Sequence, residues 1–216
     1  MKRAVPISLL LLLVAAAVPM SAQNRAFDLT GYVSWVDTSS EGTFDDTTNN
    51  PVDVNFDGTM GYGLAANVFF GNRISTEFAI VRVNTDVNIR QRAVNNAGDT
   101  EAEMMPITAV LQFHLAPNGT FDPYVGAGAA YVLIDDVDAP DELNNLDFES
   151  LDFDDDVGLA LNAGLGIRVS NNFGITLDAK YVPLESSATA HRTAGDQDVT
   201  FDLNPVILSA GVSLRF

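Results

Sequence analysis

The last sixty residues of the chain alternate between apolar positions and small or polar ones. From Val157 to Val169 every odd residue is aliphatic or alanine, and the even residues are mainly Gly, Ala and Asn. After a short turn, the same alternation runs from Phe173 to Tyr181. A period of two with one apolar face indicates β-strands. These strands exceed the usual five to six or so residues and match the roughly nine to eleven that cross a bilayer at a tilt.

Eight strands are predicted by this pattern along the whole chain. The last one changes phase at Asn204-Pro205, which predicts a bulge because proline lacks the donor that a ladder needs. The predicted strands are Phe27–Val36, Thr59–Phe70, Ile74–Val83, Met105–Leu115, Pro123–Leu133, Val157–Val169, Phe173–Pro183 and Val199–Phe216.

The connections between these strands alternate in length. Three are short: Gly71–Arg73, Ala116–Asp122 and Ser170–Asn172. Four are long: Thr38–Phe56, Asn84–Met104, Asp135–Asp156 and Glu185–Asp198. In an up-and-down barrel this order places all four long loops at one end, as in outer-membrane barrels with short periplasmic turns. The sequence therefore predicts an all-β, eight-stranded antiparallel transmembrane barrel.

A soluble barrel of the lipocalin kind also alternates, with its apolar face inward. Its other face would meet water and would carry many charged side chains. Here that face is mostly Gly, Ala, Ser, Thr and Asn, and Lys180 is the one lysine beyond residue 22. Small residues on one face fit a narrow lumen better than a wet surface, so the membrane barrel is the preferred interpretation.

The N-terminus has the pattern of a secretory signal peptide: Lys2 and Arg3, an apolar run, then small residues to Ala22. The expected organisation is a signal peptide over residues 1–22 and a barrel domain over residues 23–216. Loss of two basic residues would take the net charge from −18 to −20, which argues against nucleic acid as a partner. The chain has no cysteine, so its fold must be held by hydrogen bonds and packing.

Several segments resemble the OmpW family of outer-membrane proteins. The segment Phe121–Tyr131 contains a "PYVGAG…Y" pattern, and the later segments follow the family's order. They are the strand from Gly158, Leu177–Tyr181, Asp202–Pro205 and the ending Val212–Phe216. The resemblance implies passive passage of small apolar molecules, with a side exit into the membrane. It also implies that Phe216 is part of the signal read by the barrel-assembly machinery.

Inward-facing residues are the candidate site. An eight-stranded lumen is about filled by side chains, and charges within it should pair because isolated buried charges are costly. Such charges form either a polar gate or a structural ion-pair network. The predicted lumen-lining residues are Tyr32, Asn67, Glu77, His114, Gly126, Gly128, Asn162, Arg168, Asp178, Lys180 and Arg215. Small positions at Gly126, Gly128, Gly158, Gly164 and Gly166 would leave room for a narrow path.

Other chemistry is weakly indicated. The loop Asp135–Asp156 holds eleven of the 29 acids and could share divalent cations with lipopolysaccharide phosphates, or simply be solvated. Glu185, Ser186, Ser187 and His191 could make a lipid hydrolase site if they converged. No common catalytic motif occurs, so neither an enzyme nor a cofactor is expected.

Aromatic residues near the strand ends are expected to form interfacial girdles. They are Trp35, Tyr62, Phe69, Phe70, Tyr124, Tyr131, Phe173, Tyr181 and Phe216. The expected partners are outer-membrane lipid and lipopolysaccharide, the assembly machinery and small apolar solutes. The function expected is passive transport of such solutes, and the alternative is a structural or adhesive barrel with acidic surface loops.

Overall fold

The structure is a computed structural model that describes residues 26–38, 41–45, 51–56, 58–91, 96–134, 137–138, 148–153, 156–192, 197–202 and 204–216. The predicted signal peptide, residues 1–22, lies outside these residues, as does most of the acidic segment 135–156. Within the described part of the chain, no helix is long and apolar enough to cross a membrane.

Eight strands close into an antiparallel up-and-down barrel, as predicted. Each strand pairs with the next one in the chain, and the first pairs with the last, for example at Tyr32↔Gly211. Closure leaves no free sheet edge, which a wall surrounded by lipid requires. The barrel strands are β1 (Phe27–Asp37), β4 (Thr59–Phe69), β5 (Ile74–Gln91), β6 (Asn96–His114), β7 (Phe121–Ile134), β10 (Asp156–Arg168), β11 (Phe173–Tyr181) and β14 (Val206–Arg215).

The two faces of the wall differ as the alternation predicts. On β1 the side chains of Leu29, Val33 and Trp35 are 43–56% exposed, whereas Ser34 and Val36 between and beyond them are buried. The same parity holds on β10 and β14, where Leu159 and Leu208 point outward and Ala160 and Ile207 inward. An apolar outside and a packed inside are the arrangement that lipid favours.

Five further strands lie in segments predicted to be long loops, and a sixth, over residues 197–202, lies mostly in the predicted strand Val199–Phe216. The pair β2 (Glu41–Asp45) and β3 (Pro51–Phe56) forms a hairpin that continues onto β5. A separate four-stranded sheet contains β8 (Val137–Asp138), β9 (Phe148–Phe153), β12 (Glu185–Arg192) and β13 (Gln197–Asp202). Because β13 lies beside β2 and β8 beside β6, these strands and the ends of β5 and β6 form a second ring above the barrel.

Two further sequence predictions are wrong in detail. The segment Asn84–Met104 is not a loop, because β5 and β6 stay paired as far as Gln91↔Asn96. Alternating β-branched residues such as Thr85, Val87 and Ile89 support that extension. The segment Val199–Phe216 is not one bulged strand. The chain leaves the barrel before Pro205, whose carbonyl instead accepts a hydrogen bond from the amide of Val182 at 3.0 Å.

Short turns join the strands at one end, which we call the turn end, and the other end is the loop end. Gly71 in the first turn has a φ of 87°, which favours glycine. Outward aromatics lie near both ends, for example Phe173 and Tyr181 on β11. Phe173 and Tyr181 are eight positions apart, and this length of tilted strand spans about 20 Å along the barrel axis. The distance between the two aromatic ends is therefore close to the height of the apolar band of outer-membrane barrels. Phe69 and Tyr124, predicted as girdle residues, are instead buried inside.

Candidate functional site

A buried ion-pair cluster lies inside the barrel and is centred on Lys180 of β11. Its Nζ lies 2.8 Å from Oε1 of Glu77 on β5 and 2.5 Å from Oδ1 of Asp178. The ammonium also lies 5.8 Å from the ring centre of Tyr32 on β1, within reach of a cation–π contact. All four side chains are at most 5% exposed. Of the charges predicted to point inward, three therefore meet in one cluster.

Uncharged groups surround this cluster and donate hydrogen bonds to the carboxylate of Asp178. Oδ2 of Asp178 accepts hydrogen bonds from the Tyr124 hydroxyl at 2.8 Å and from the Asn162 amide at 2.5 Å. Gln112 connects the cluster onward, since its amide donates to Asn162 at 3.4 Å and its Oε1 accepts from Asn67 at 2.9 Å. We call this set the polar layer: Tyr32, Asn67, Glu77, Gln112, Tyr124, Asn162, Asp178 and Lys180.

The polar layer crosses the whole lumen. Its members come from seven of the eight barrel strands. The remaining strand, β14, contributes Ser209, which pairs in register with Asp178 and bonds to the hydroxyl of Ser34 on β1 at 2.8 Å. Buried polar groups joined in this way exclude apolar molecules, because entry of such a molecule would break their hydrogen bonds and replace none of them.

A second polar group lies between the layer and the turn end. Nδ1 of His114 lies 2.9 Å from Oδ2 of Asp122, and its Nε2 lies 2.9 Å from Oγ of Ser75. Ser75 also donates to Gln112 at 3.2 Å, which joins this group to the polar layer. The three side chains have the connectivity of a serine hydrolase triad. However, each is at most 3% exposed, so a substrate has no access to the hydroxyl.

Two predicted inward arginines lie at the turn end. Arg215 is 7% exposed, and its Nε lies 3.9 Å from Oδ2 of Asp28. Arg168 does not enter the charged cluster. Its guanidinium donates to the backbone carbonyl of Pro117 at 3.1 Å and to that of Asn118 at 3.4 Å, in the neighbouring turn. The side chain of Arg168 therefore connects the turn at residues 170–172 to the turn at residues 116–120, because it is long enough to reach the carbonyl groups there.

Three glycines on the inner face do not leave an open path, because neighbouring groups fill the space that a Cβ would take. A Cβ at Gly164 would lie 2.3 Å from the hydroxyl of Tyr124. At Gly126 it would lie 2.8 Å from Oδ1 of Asn162, and at Gly128 1.9 Å from a backbone carbonyl. At these positions glycine makes room for the polar layer and for close strand packing.

The interior changes character towards the loop end. Most of the buried side chains there are aliphatic or methionine, although Thr38 and Thr85 are also buried. We call the following seven the outer apolar cluster: Val36, Val81, Val83, Met104, Val132, Ile134 and Ile207. All seven are at most 6% exposed. Four of them, Val36, Val81, Val83 and Ile207, pack together across the lumen. The barrel is thus apolar inside at its loop end and polar from the polar layer to its turn end.

The wall has an interruption beside the outer apolar cluster. The β5–β6 register runs to Ile80↔Ile107 and resumes at Val83↔Met104, so two successive pairs are missing. Pro106 occupies one of these positions, and proline has no N–H to donate. On its other side Pro106 stays in register with Val132 of β7. We call this interruption the ladder gap. Just beyond it, Arg82 and Glu103 form an ion pair on the outside of the wall.

A groove of about 530 Å³ lies on the opposite, lipid-facing side of the wall. Ala163, Ala179 and Ala210 lie between larger side chains such as Trp35 and Leu177. The lining is almost wholly apolar, as expected for a surface covered by lipid. It is separate from the outer apolar cluster.

The predicted hydrolase residues do not converge. Ser186, Ser187 and His191 all lie on β12, an extended strand. Along an extended strand the Cα atoms of Ser187 and His191 lie about 13 Å apart, so the backbone does not bring these two residues together. Within the described residues, no group of three or more His, Asp or Glu side chains is placed to hold a metal ion. The divalent-cation hypothesis concerns the segment 135–156, most of which is outside those residues.

Some residues of the site were missed by sequence reasoning. Asp28, Asp122, Gln112 and Tyr124 all have the inward parity of their strands, and this parity was the available signal. Phe216, predicted as an assembly signal, joins the closing seam. Its amide donates to the carbonyl of Phe27 at 2.9 Å, and its ring lies 6.1 Å from that of Phe27.

A closed eight-stranded barrel with an apolar outside, two aromatic belts and short turns at one end is an outer-membrane protein. The sequence profile of the OmpW family matches residues 29–216, and the chain belongs to that family. The resemblance seen in the sequence is therefore confirmed. By position in this class of barrel, the turn end faces the periplasm and the loop end faces outward.

Individual relatives support this assignment. The chain is 29% identical to the outer-membrane protein y4mB of Sinorhizobium fredii over 165 residues, 76% of this chain and 69% of that one. It is 26% identical to outer membrane protein W of Vibrio cholerae over 160 residues, 73% of this chain and 71% of that one. The crystal structure of OprG from Pseudomonas aeruginosa has the same fold, with a TM-score of 0.78 at 21% identity, covering 89% and 96% of the two chains.

Proposed function

We propose that this protein passes small apolar molecules across the outer membrane passively, through its loop end and out through the side of the wall. The observation that carries the proposal is the contrast inside one barrel. The outer apolar cluster offers favourable surroundings to an apolar solute, whereas the polar layer offers hydrogen bonds that such a solute would break.

The ladder gap supports an exit at the side. It adjoins Val81, Val83 and Met104, which belong to the outer apolar cluster. Missing cross-strand pairs make this the part of the wall where strands separate at the lowest cost. A solute that leaves here enters the apolar part of the membrane and never meets the polar layer. The path needs no catalytic group and no cofactor.

The test is uptake of small apolar solutes into liposomes that carry the refolded mature barrel, with ion current recorded in parallel. Uptake above that of empty liposomes with little current supports the proposal. The variant Pro106→Ala restores an N–H to β6 and should lower uptake several-fold, because the ladder can then close. Pro123→Ala is the matched control, since Pro123 is a barrel proline near the turn end. Equal uptake by wild type, Pro106→Ala and empty liposomes would contradict the proposal.

Adhesion is a second candidate, and one observation favours it. The polar layer fills the lumen, and the segments outside the membrane form paired strands rather than irregular loops. A rigid outer ring could present the acidic surface to a partner. Binding of labelled protein to host or bacterial surfaces, together with absence of uptake in the liposome experiment, would favour this function.

The proposal also covers the partners of the barrel in the outer membrane. Outer-membrane lipid and lipopolysaccharide would cover the apolar wall. The barrel-assembly machinery would read the final strand and Phe216. Deleting Phe216 should lower the yield of assembled barrel in cells while leaving refolding from urea into detergent unchanged. A defect in both would mean a purely structural role for this residue.

A further inference from the structure

We propose that Lys180 is a tethered cation that makes the polar layer impermeable to ions, and that removing its charge alone creates a cation-selective pore. This inference concerns ions rather than apolar solutes and therefore goes beyond the proposed function. It assigns a role to the centre of the polar layer, where the chain's one lysine beyond residue 22 meets two carboxylates.

The surroundings of the Lys180 ammonium are those of a cation-binding site. Two carboxylate oxygens lie 2.8 and 2.5 Å from Nζ, and an aromatic face lies 5.8 Å away. Carboxylate oxygens hold inorganic cations at similar distances, and aromatic faces attract cations in general. The protein fills this site with its own ammonium, which is attached to the wall and cannot leave.

The charge balance gives the sign of the expected selectivity. Glu77, Asp178 and Lys180 carry a formal charge of −1 together, and without the ammonium the charge becomes −2. The other groups facing this cluster, Tyr32, Tyr124 and Asn162, are uncharged donors or rings. Among the described residues of the interior, the remaining arginine, Arg215, lies beside Asp28 at the turn end. Two unmatched carboxylates in a narrow lumen attract cations and repel anions.

The layer is also the barrier itself, because its side chains span the lumen. Asn162 and Tyr124 fill the spaces beside Gly126 and Gly164. Above the layer lies the outer apolar cluster, which holds no fixed charge. Below it are the His114–Asp122 contact and the Asp28–Arg215 pair. An ion that crosses the barrel must therefore pass the site that the ammonium occupies.

The experiment is current recording from single barrels in planar bilayers under a potassium chloride gradient. The variant Lys180→Met keeps most of the side-chain volume and removes the charge. It should give current steps whose reversal potential shifts towards that of potassium, while the wild type stays nearly silent. Lys180→Arg, which restores a cation, should return the barrel to low current. Arg73→Met removes a charge from an exposed turn and is the matched control for charge loss elsewhere.

A variant whose polar layer carries no charge distinguishes the effect of charge from the effect of changed packing. The triple variant Glu77→Gln, Asp178→Asn, Lys180→Met should show no cation selectivity, because no unmatched carboxylate remains. If Lys180→Met does not refold, the pair Glu77→Gln with Lys180→Met leaves one unmatched carboxylate and should again select cations. Silent, unselective or anion-selective current from refolded Lys180→Met or from the Glu77→Gln, Lys180→Met pair would overturn the proposal, as would wild-type current equal to that of Lys180→Met. Solute uptake by the same wild-type preparation tests the proposed function independently.

Discussion

The two halves of the lumen are built from the same strands but by opposite chemistry. On β5, Glu77 belongs to the polar layer, and Val81 and Val83, further along the same inner face, belong to the outer apolar cluster. On β14 the inner face changes from Arg215 and Ser213 near the periplasm to Ile207 near the outside. Under the proposed function, the apolar end would take up an apolar molecule and the polar end would close the barrel, so that a barrel too narrow for an aqueous channel could still pass such molecules from one side.

The two halves of the lumen also stabilise the barrel in different ways. In the polar layer a buried ion pair and its hydrogen bonds depend on one another, so removal of one member exposes the others to a large cost. In the outer apolar cluster the contacts are aliphatic and replaceable, and loss of a methylene leaves only a small cavity. Substitutions in the polar layer should therefore lower the free energy of unfolding more than substitutions in the outer apolar cluster do. Small truncations in the outer apolar cluster should also raise the uptake of apolar solutes.

The largest effect is expected for Lys180→Met. It leaves the carboxylates of Glu77 and Asp178 buried without their cation, which should lower the free energy of unfolding by about 3–5 kcal/mol. Urea unfolding of the refolded barrel in detergent micelles measures this. The triple neutral variant should recover much of the loss, and a single variant as stable as the wild type would show that the ion pair is not coupled to folding.

Tyr124→Phe should have the next largest effect. It removes the hydroxyl that donates to Asp178 at 2.8 Å, and a hydrogen bond to a charged group contributes about 1.5–3 kcal/mol. Tyr62→Phe is the control, since Tyr62 is 66% exposed on the outer face. The same unfolding experiment should separate the two variants, and equal midpoints would mean that the hydroxyl of Tyr124 contributes nothing to the layer.

Gly164→Ala tests the packing of the layer. The new Cβ would lie 2.3 Å from the Tyr124 hydroxyl, and overpacking of this kind costs about 1–3 kcal/mol. Gly166→Ala on the same inner face is the control, because its Cβ would meet no atom closer than 3.6 Å. Similar stability of the two variants would mean that Tyr124 moves aside freely.

Ile207→Val should have the smallest effect on stability. It should lower the stability but raise the uptake of apolar solutes. Removing one methyl group from the outer apolar cluster should lower the free energy of unfolding by about 0.5–1.5 kcal/mol. The same change widens the apolar entry, so uptake of apolar solutes should rise. Reduced uptake by this variant would contradict an entry path through the outer apolar cluster.

The barrel could be predicted from the sequence because lipid imposes a strict pattern on the part of the wall that it covers. Leu159, Leu161 and their equivalents must face outward, so the alternation is visible in every barrel strand. Beyond the membrane the strands form a ring of their own, in which Thr85 and Ala102 are buried, and the alternation there is shorter and more polar. For this reason the sequence pattern predicts loops at β2, β3, β9, β12 and the extensions of β5 and β6.

The sequence predicts which side chains of the site face inward, but it does not predict which of them pair. Parity places Glu77, Asp178 and Lys180 on the inner face, but the pairs they form depend on the stagger between strands that are not neighbours in the chain. Two aromatics were misplaced because their residue type suggested a girdle, although the parity of Phe69, next to outward-facing Phe70, indicates the lumen. Arg168 has inward parity, yet its length lets it bond to turn carbonyls instead.

The most direct test of the divided lumen is thiol labelling, for which the cysteine-free chain is well suited. Single cysteines would replace Val83 in the outer apolar cluster and Ser213 near the periplasmic end, both buried. The measurement is the rate of labelling by a small maleimide, with and without a saturating apolar solute. The account predicts that the solute slows labelling at position 83 several-fold and leaves position 213 unchanged. Equal protection at both positions would mean a straight path through the polar layer and would contradict the account.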